Sequence, residues 1–176
     1  MSKVTTSTSS GRSVKRGLAL AVMIIAVVAT PAAASTTSAS YDLAGTGSST
    51  PGGCLDCQGP TMDASGTATC SICVAGKPAT GSFTISLAVQ TFPPSPCKVK
   101  TVSGTLDVSW ADGTSSTASV AGKFRDSKAM SLSGMFSSTD PNYPGLPASI
   151  PLNNFPPNPC LAQIGPITGT LAIGTQ

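Results

Sequence analysis

Apolar and polar residues alternate with a period of two along most of the chain beyond residue 80. Phe83, Ile85, Leu87 and Val89 are separated by Ser82, Thr84, Ser86 and Ala88. Val102, Gly104, Leu106, Val108 and Trp110 alternate with Ser103, Thr105, Asp107 and Ser109. Ala118, Val120, Gly122 and Phe124 form a third set, Met130, Leu132, Gly134 and Phe136 a fourth, and Ile167, Gly169, Leu171 and Ile173 a fifth. Successive strand side chains point to opposite faces, so these runs predict half-buried antiparallel strands. Two weaker runs precede them: Tyr41, Leu43 and Gly45 within residues 39–46, and Gly66, Ala68, Cys70, Ile72 and Val74 within residues 66–75. A further strand is expected near residues 147–153, from Ala148, Ile150 and Leu152, with Pro151 pointing to a sheet edge. Residues 47–53, rich in Ser and Gly, read as a loop. No stretch beyond residue 34 carries a helical period.

Within the alternation one small pattern recurs: a small residue, Gly, any residue, then Phe or Leu. It appears at Gly81-Ser82-Phe83, Gly104-Thr105-Leu106, Gly122-Lys123-Phe124, Gly134-Met135-Phe136 and Gly169-Thr170-Leu171. The Gly and the large residue lie two apart and so share the inner face. Glycine inside a strand marks a sharp bend or a close backbone approach, both of which serve to curl a sheet shut. Short polar turns at Gly76-Lys77-Pro78, Asp112-Gly113 and Arg125-Asp126-Ser127-Lys128 join consecutive runs. The expected fold is therefore all-β, a single antiparallel meander of about seven to eight strands. A small β-barrel is favoured over a two-sheet β-sandwich, which alternation alone does not exclude.

The six cysteines add covalent constraints. Phe92-Pro93-Pro94-Ser95-Pro96-Cys97 recurs as Phe155-Pro156-Pro157-Asn158-Pro159-Cys160. Each copy leads into a Gly-Thr-Leu strand, and with one extra strand at 147–153 both strands begin at the same end. Cys97 is therefore expected to bond to Cys160. Cys54, Cys57, Cys70 and Cys73 form two C-x-x-C pairs. A hairpin would join Cys54 to Cys73 and Cys57 to Cys70, at the cost of a bulge. The alternative is structural zinc on the same four cysteines, and a redox-active C-x-x-C is a third reading.

The amino terminus supplies the compartment. Lys15 and Arg16 precede an apolar run from Leu18 to Val28, followed by Ala32-Ala33-Ala34. This is the layout of a secretory signal peptide, residues 1–34, cleaved to leave a single secreted domain at 35–176. The run falls short of the ~20 residues that span a bilayer. No Cys follows closely for a lipid anchor, and no Arg-Arg pair marks twin-arginine export. Within the domain, residues 47–64 are expected to be a Cys-containing loop region and residues 138–164 a Pro-rich connection. An oxidising compartment favours disulfides over zinc.

Composition then narrows function. The whole chain carries +3, but Lys3, Arg12, Lys15 and Arg16 belong to the leader; six basic residues then face seven aspartates. No basic run remains in the sequence to hold a phosphate backbone, so nucleic acid is not an expected partner. The chain has no His and no Glu. Imidazole-based nucleophilic catalysis and Glu acid–base chemistry are excluded, and no enzyme activity and no cofactor are expected. Asp42 and Asp107 fall on polar faces, and Asp112, Asp126 and Asp140 in or beside turns, where Asp serves local hydrogen bonds. The leading expectation is a monomeric extracellular binding or structural domain, free of the membrane after leader cleavage. Its partner would be a protein, a cell-wall component or a carbohydrate surface, contacted through loops. Two alternatives carry named residues. A protease inhibitor would use the stiff loop of Pro94, Ser95, Pro96 and Lys98. An apolar ligand carrier would use an internal cavity at Trp110, Gly104 and Gly122.

Overall fold

The computed structural model describes residues 38–52, 59–92 and 95–174, with no side-chain detail for 92–96. Strands occupy every alternating run: β1 (Ala39–Thr50), β2 (Thr61–Ile72), β3 (Thr80–Phe92), β4 (Ser95–Trp110), β5 (Ser115–Phe124), β6 (Met130–Phe136), β7 (Pro147–Asn153) and β8 (Gln163–Ile173). They pair antiparallel in chain order, and β8 returns to β1 to close a barrel. The closing pair runs from Ala39 opposite Ile173 to Ser49 opposite Gln163.

The recurrent inner glycines make that curl. At Gly104 a Cβ would stand 1.8 Å from the Ser86 carbonyl oxygen of the neighbouring strand. Gly45 and Gly66 face each other across β1 and β2, and a Cβ on either would lie within 2.8 Å of the other's Cα. Only hydrogen fits there, so the strands approach and bend where a side chain would hold them apart.

The inner face is filled. Leu43, Met62, Ile85, Leu87, Leu106, Met130, Leu132 and Ile150 are all buried. This agrees with an eight-stranded barrel, whose bore is about the width that side chains can fill. Outward positions are Ser, Thr and Asp over most strands: Ser82, Thr84 and Ser86 on β3, and Thr101, Ser103, Thr105 and Asp107 on β4. That wall is hydroxylated where a bilayer-spanning barrel carries an apolar band.

Each end is closed by a loop. At the end where β1 begins, the 137–146 connection inserts Tyr143 beside Tyr41, Trp110 and Phe136. At the other end the 154–162 connection inserts Phe155, fully buried, edge-on to Phe124 with ring centroids 6.4 Å apart. The Phe155 amide donates to the Lys128 carbonyl (2.9 Å), and the Ser49 hydroxyl donates to the Leu161 carbonyl (2.9 Å).

Several boundaries differ from the sequence reading. β1 continues through residues 47–50, expected as loop, because Gly47 and Ser49 face inward and the end loop supplies Ser49 with a partner. β2 starts earlier and stops at Ile72, so residues 73–75 are not strand, and Ile72 is exposed. Of the loop region expected at 47–64, residues 47–50 and 61–64 are strand, and residues 53–58 lie outside the described residues. The Pro-rich connection expected at 138–164 holds β7, which is not an edge: it pairs with β6 on one side and β8 on the other. Pro151 falls where the β7–β8 ladder is interrupted, between the pairs Ser149–Ala172 and Leu152–Gly169. A missing N–H is tolerated there.

Candidate binding rim

Cys97 and Cys160 are bonded, 63 positions apart, as expected from the repeated Phe-Pro-Pro-x-Pro-Cys element. The bond ties the 154–162 loop to the start of β4. Cys70 is bonded to Cys73. That overturns the expected ladder pairings of Cys54 with Cys73 and Cys57 with Cys70. It equally removes two of the four thiolates from the zinc alternative. Cys73 lies past the end of β2, so the chain can turn back onto Cys70 instead of reaching across a hairpin. Cys54 and Cys57 lie outside the described residues.

The other candidate sites do not assemble. Pro94 lies outside the described residues, and Ser95, Pro96 and Lys98 belong to β4 instead of a free loop; Ser95 is opposite Phe92 and Val99 opposite Thr91. Among the described residues, Gly122 lines a groove on the outer face of β4–β6 to which neither Trp110 nor Gly104 contributes. Trp110 sits at one end of the barrel, its ring 4.9 Å from Tyr41 and 5.9 Å from Tyr143. Its Nε1 donates to Ser116 Oγ (2.8 Å), which donates to Asp140 Oδ1 (3.0 Å). The Asn142 and Tyr143 amides donate to the same oxygen. The space above Gly104 is taken by the Ser86 carbonyl, and above Gly122 by the Ser131 carbonyl.

What the ladder does bring together is charge. β4 begins beside the end of β5, with Val102 opposite Gly122. Lys98 and Lys100 on β4 therefore lie near Lys123 on β5 and Arg125 and Lys128 in the β5–β6 turn. A register irregularity between β3 and β4 at Gln90/Thr91 leaves Lys100 as the extra residue. The turn is fixed by Asp126, whose Oδ1 accepts from the Lys128 and Ala129 amides, both at 2.8 Å. Those amides hold the Asp126 carboxyl below the usual carboxylate range, so it stays ionised as a structural group.

Five cations and one carboxylate thus share one rim. The remaining described charges are Lys77 and five aspartates. Asp42, Asp107, Asp112 and Asp140 lie toward the opposite end, whereas Asp63, near the start of β2, lies toward the cationic end but two strands away from β4. Among the described residues six cations face six aspartates, and the two signs are unevenly placed. The absence of a basic cluster, read from the sequence, does not hold in space. Residues some 25 positions apart become neighbours through antiparallel pairing, and only the hairpin register could have announced it.

Three depressions surround the same turn. A groove of about 660 Å³ on the outer face of β4–β6 is lined by Gln90, Thr101, Ser103, Ala121, Lys123, Ser131 and Ser133 among others. Its floor is shallow because Ser103, Ala121 and Ser133 are in register across three strands. A second hollow of about 320 Å³ lies between Lys98, Phe124, Arg125 and Pro157. A third, about 310 Å³, lies between Lys128, Asn154 and Pro156. Asn154 has a positive φ of 60°, which turns the chain from β7 into the end loop. Among the described residues no group of His, Cys, Asp or Glu could hold a metal ion. The chain matches no family model, no curated protein and no solved structure in comparisons with each.

Proposed function

We propose that the protein is an exported, disulfide-stapled β-barrel that works as a binding module, meeting an anionic partner through the rim of Lys98, Lys100, Lys123, Arg125 and Lys128. The observation that carries this reading is the segregation of charge among the described residues, whose six cations and six aspartates balance. A focused patch of one sign raises the local concentration of the opposite charge and steers its approach. The leader-like segment at 1–34 and two disulfides fit an oxidising, extracellular setting. The absence of His and Glu, and an interior occupied by the protein's own side chains, leave the surface as the working part.

The test is ion exchange of the processed protein near neutral pH and low salt. Six basic residues against seven aspartates predict no retention on a sulfonate resin if the charges act as a uniform average. Retention that salt reverses, and that Lys123→Gln/Arg125→Gln/Lys128→Gln abolishes, supports the rim. Flow-through of the unaltered protein refutes it.

A further inference from the structure

We infer that the occupant of the rim is an anionic polysaccharide, lying along the β4–β6 groove with its carboxylate or sulfate groups on the surrounding cations; this rests on the binding reading above. Three features select a polymer of this chemistry. First, the charge is distributed. Each of the three depressions around the 125–128 turn carries its own cation: Lys123 in the groove, Lys98 and Arg125 in the second, Lys128 in the third. Separate cationic hollows around one turn suit a chain of repeated anionic units better than one small anion. Second, the groove between them carries hydroxyls and an amide around an apolar floor of Val102, Ala121 and Gly122. Thr101, Ser103, Ser131, Ser133 and Gln90 offer both donors and acceptors, as sugar hydroxyls require. Thr101 Oγ1 already donates to Gln90 Oε1 (2.9 Å), so part of that wall is pre-ordered.

Third, the other polyanions lack their usual partners here. Single-stranded nucleic acid is held by aromatic stacking as well as charge. Among the described residues lining these hollows the aromatic rings are Phe124 and Phe155, which pack on each other. Anionic membranes add apolar insertion to electrostatics. The exposed large apolar residues, Ile72, Met135, Leu161 and Ile164, line none of the three hollows.

The test compares binding of the processed, disulfide-intact protein to polygalacturonate, heparin, neutral dextran, random-sequence duplex DNA, and vesicles of phosphatidylglycerol and phosphatidylcholine in equal parts. Expected is salt-sensitive binding to at least one charged polysaccharide and none to dextran; the two charged glycans tell carboxylate from sulfate. Lys123→Gln/Arg125→Gln/Lys128→Gln should weaken it at least about tenfold at unchanged melting temperature, while Lys77→Gln at the opposite end leaves it intact. The decisive variant is Ala121→Arg. It adds a cation to the exposed outer face while filling the groove floor. Occupation of the groove predicts weaker polysaccharide binding together with stronger retention on sulfonate. Tighter polysaccharide binding by Ala121→Arg, or equal affinity for DNA or vesicles, overturns the inference and leaves the rim as a general anion site. Flow-through of the unaltered protein on sulfonate overturns both.

Discussion

Tyr41 and Tyr143, 102 positions apart, share a hydrogen bond between their phenol oxygens inside one end of the barrel. Tyr41 Oη also donates to the Pro78 carbonyl (2.7 Å), so its single proton is committed there and Tyr143 must be the donor to Tyr41. The two hydroxyls are therefore unequal. Tyr143→Phe removes one donor and leaves the Tyr41–Pro78 bond standing, at a cost of about 1 kcal/mol. Tyr41→Phe strands both the Pro78 carbonyl and the Tyr143 hydroxyl, at about 2–3 kcal/mol. Urea unfolding of the two variants ranks them, and the reverse order would mean the network is drawn wrongly.

The same pair sets an alkaline limit. Burial raises both phenols above the usual tyrosine range, and for Tyr143 the hydrogen bond to Tyr41 adds to the rise. An unfolded tyrosine loses its proton near pH 10 while the folded one keeps it. Above that pH the native state binds more protons than the unfolded state, so stability falls as pH rises. Below it the contribution is complete and flat. Urea midpoints measured from pH 8 to 11.5 should decline from about pH 10, and Tyr41→Phe/Tyr143→Phe should flatten that decline.

Asp140 anchors the loop that closes this end. Its Oδ1 accepts from the Ser116 hydroxyl and from the amides of Asn142 and Tyr143. Asp140→Ala leaves those buried donors without an acceptor and should cost about 3 kcal/mol or more. Asp140→Asn keeps one acceptor oxygen and should cost about half as much. The sole tryptophan reports on it, since Trp110 is joined to Asp140 through Ser116. Its emission should shift to the red in the alanine variant.

The glycines separate geometry from composition. Gly104→Ala drives a methyl into the Ser86 carbonyl and should destabilise by about 1–3 kcal/mol. Gly165, likewise inside a strand but on β8, has nothing within 4 Å of its would-be Cβ. Gly165→Ala should be neutral or stabilise by up to about 1 kcal/mol. Equal effects at the two sites would count against close strand approach as the cause of the curl.

The two disulfides close loops of very different length. Opening Cys97–Cys160 releases a 63-residue separation and should cost about 4 kcal/mol; Cys70–Cys73, with a separation of 3, should cost about 2. Paired serine variants compared by urea unfolding give the ratio directly.

Strand identity was legible wherever a buried face was apolar, as in Phe83 to Val89. It failed at Gly47 and Ser49, which face inward without being apolar, so a strand end looked like a loop. It overran in the opposite sense at residues 73–75, where Val74 carries the apolar alternation on past Ile72, the last residue of β2. The Cys97–Cys160 bond followed from a repeat plus strand parity. The Cys70–Cys73 bond did not, because ladder geometry was assumed beyond where β2 stops. The rim was invisible for a different reason. Charge was summed along the chain, whereas Lys98 and Arg125 meet only after β4 and β5 pair, and a sum cannot carry a direction.

Ala39 and Ile173 stand side by side where β8 closes onto β1, at the end remote from the cations. Anything joined to either terminus of the barrel, whether a tether, a neighbouring module or a solid support, holds it from behind. The fold so anchored has a fixed heading: its positive pole faces outward, into whatever the anchor faces. The two ends are also near enough for a short splice to join them. A ring cut instead at Gly113, in the tight β4–β5 turn, would carry its new termini at that same rear pole and leave the outward heading unchanged.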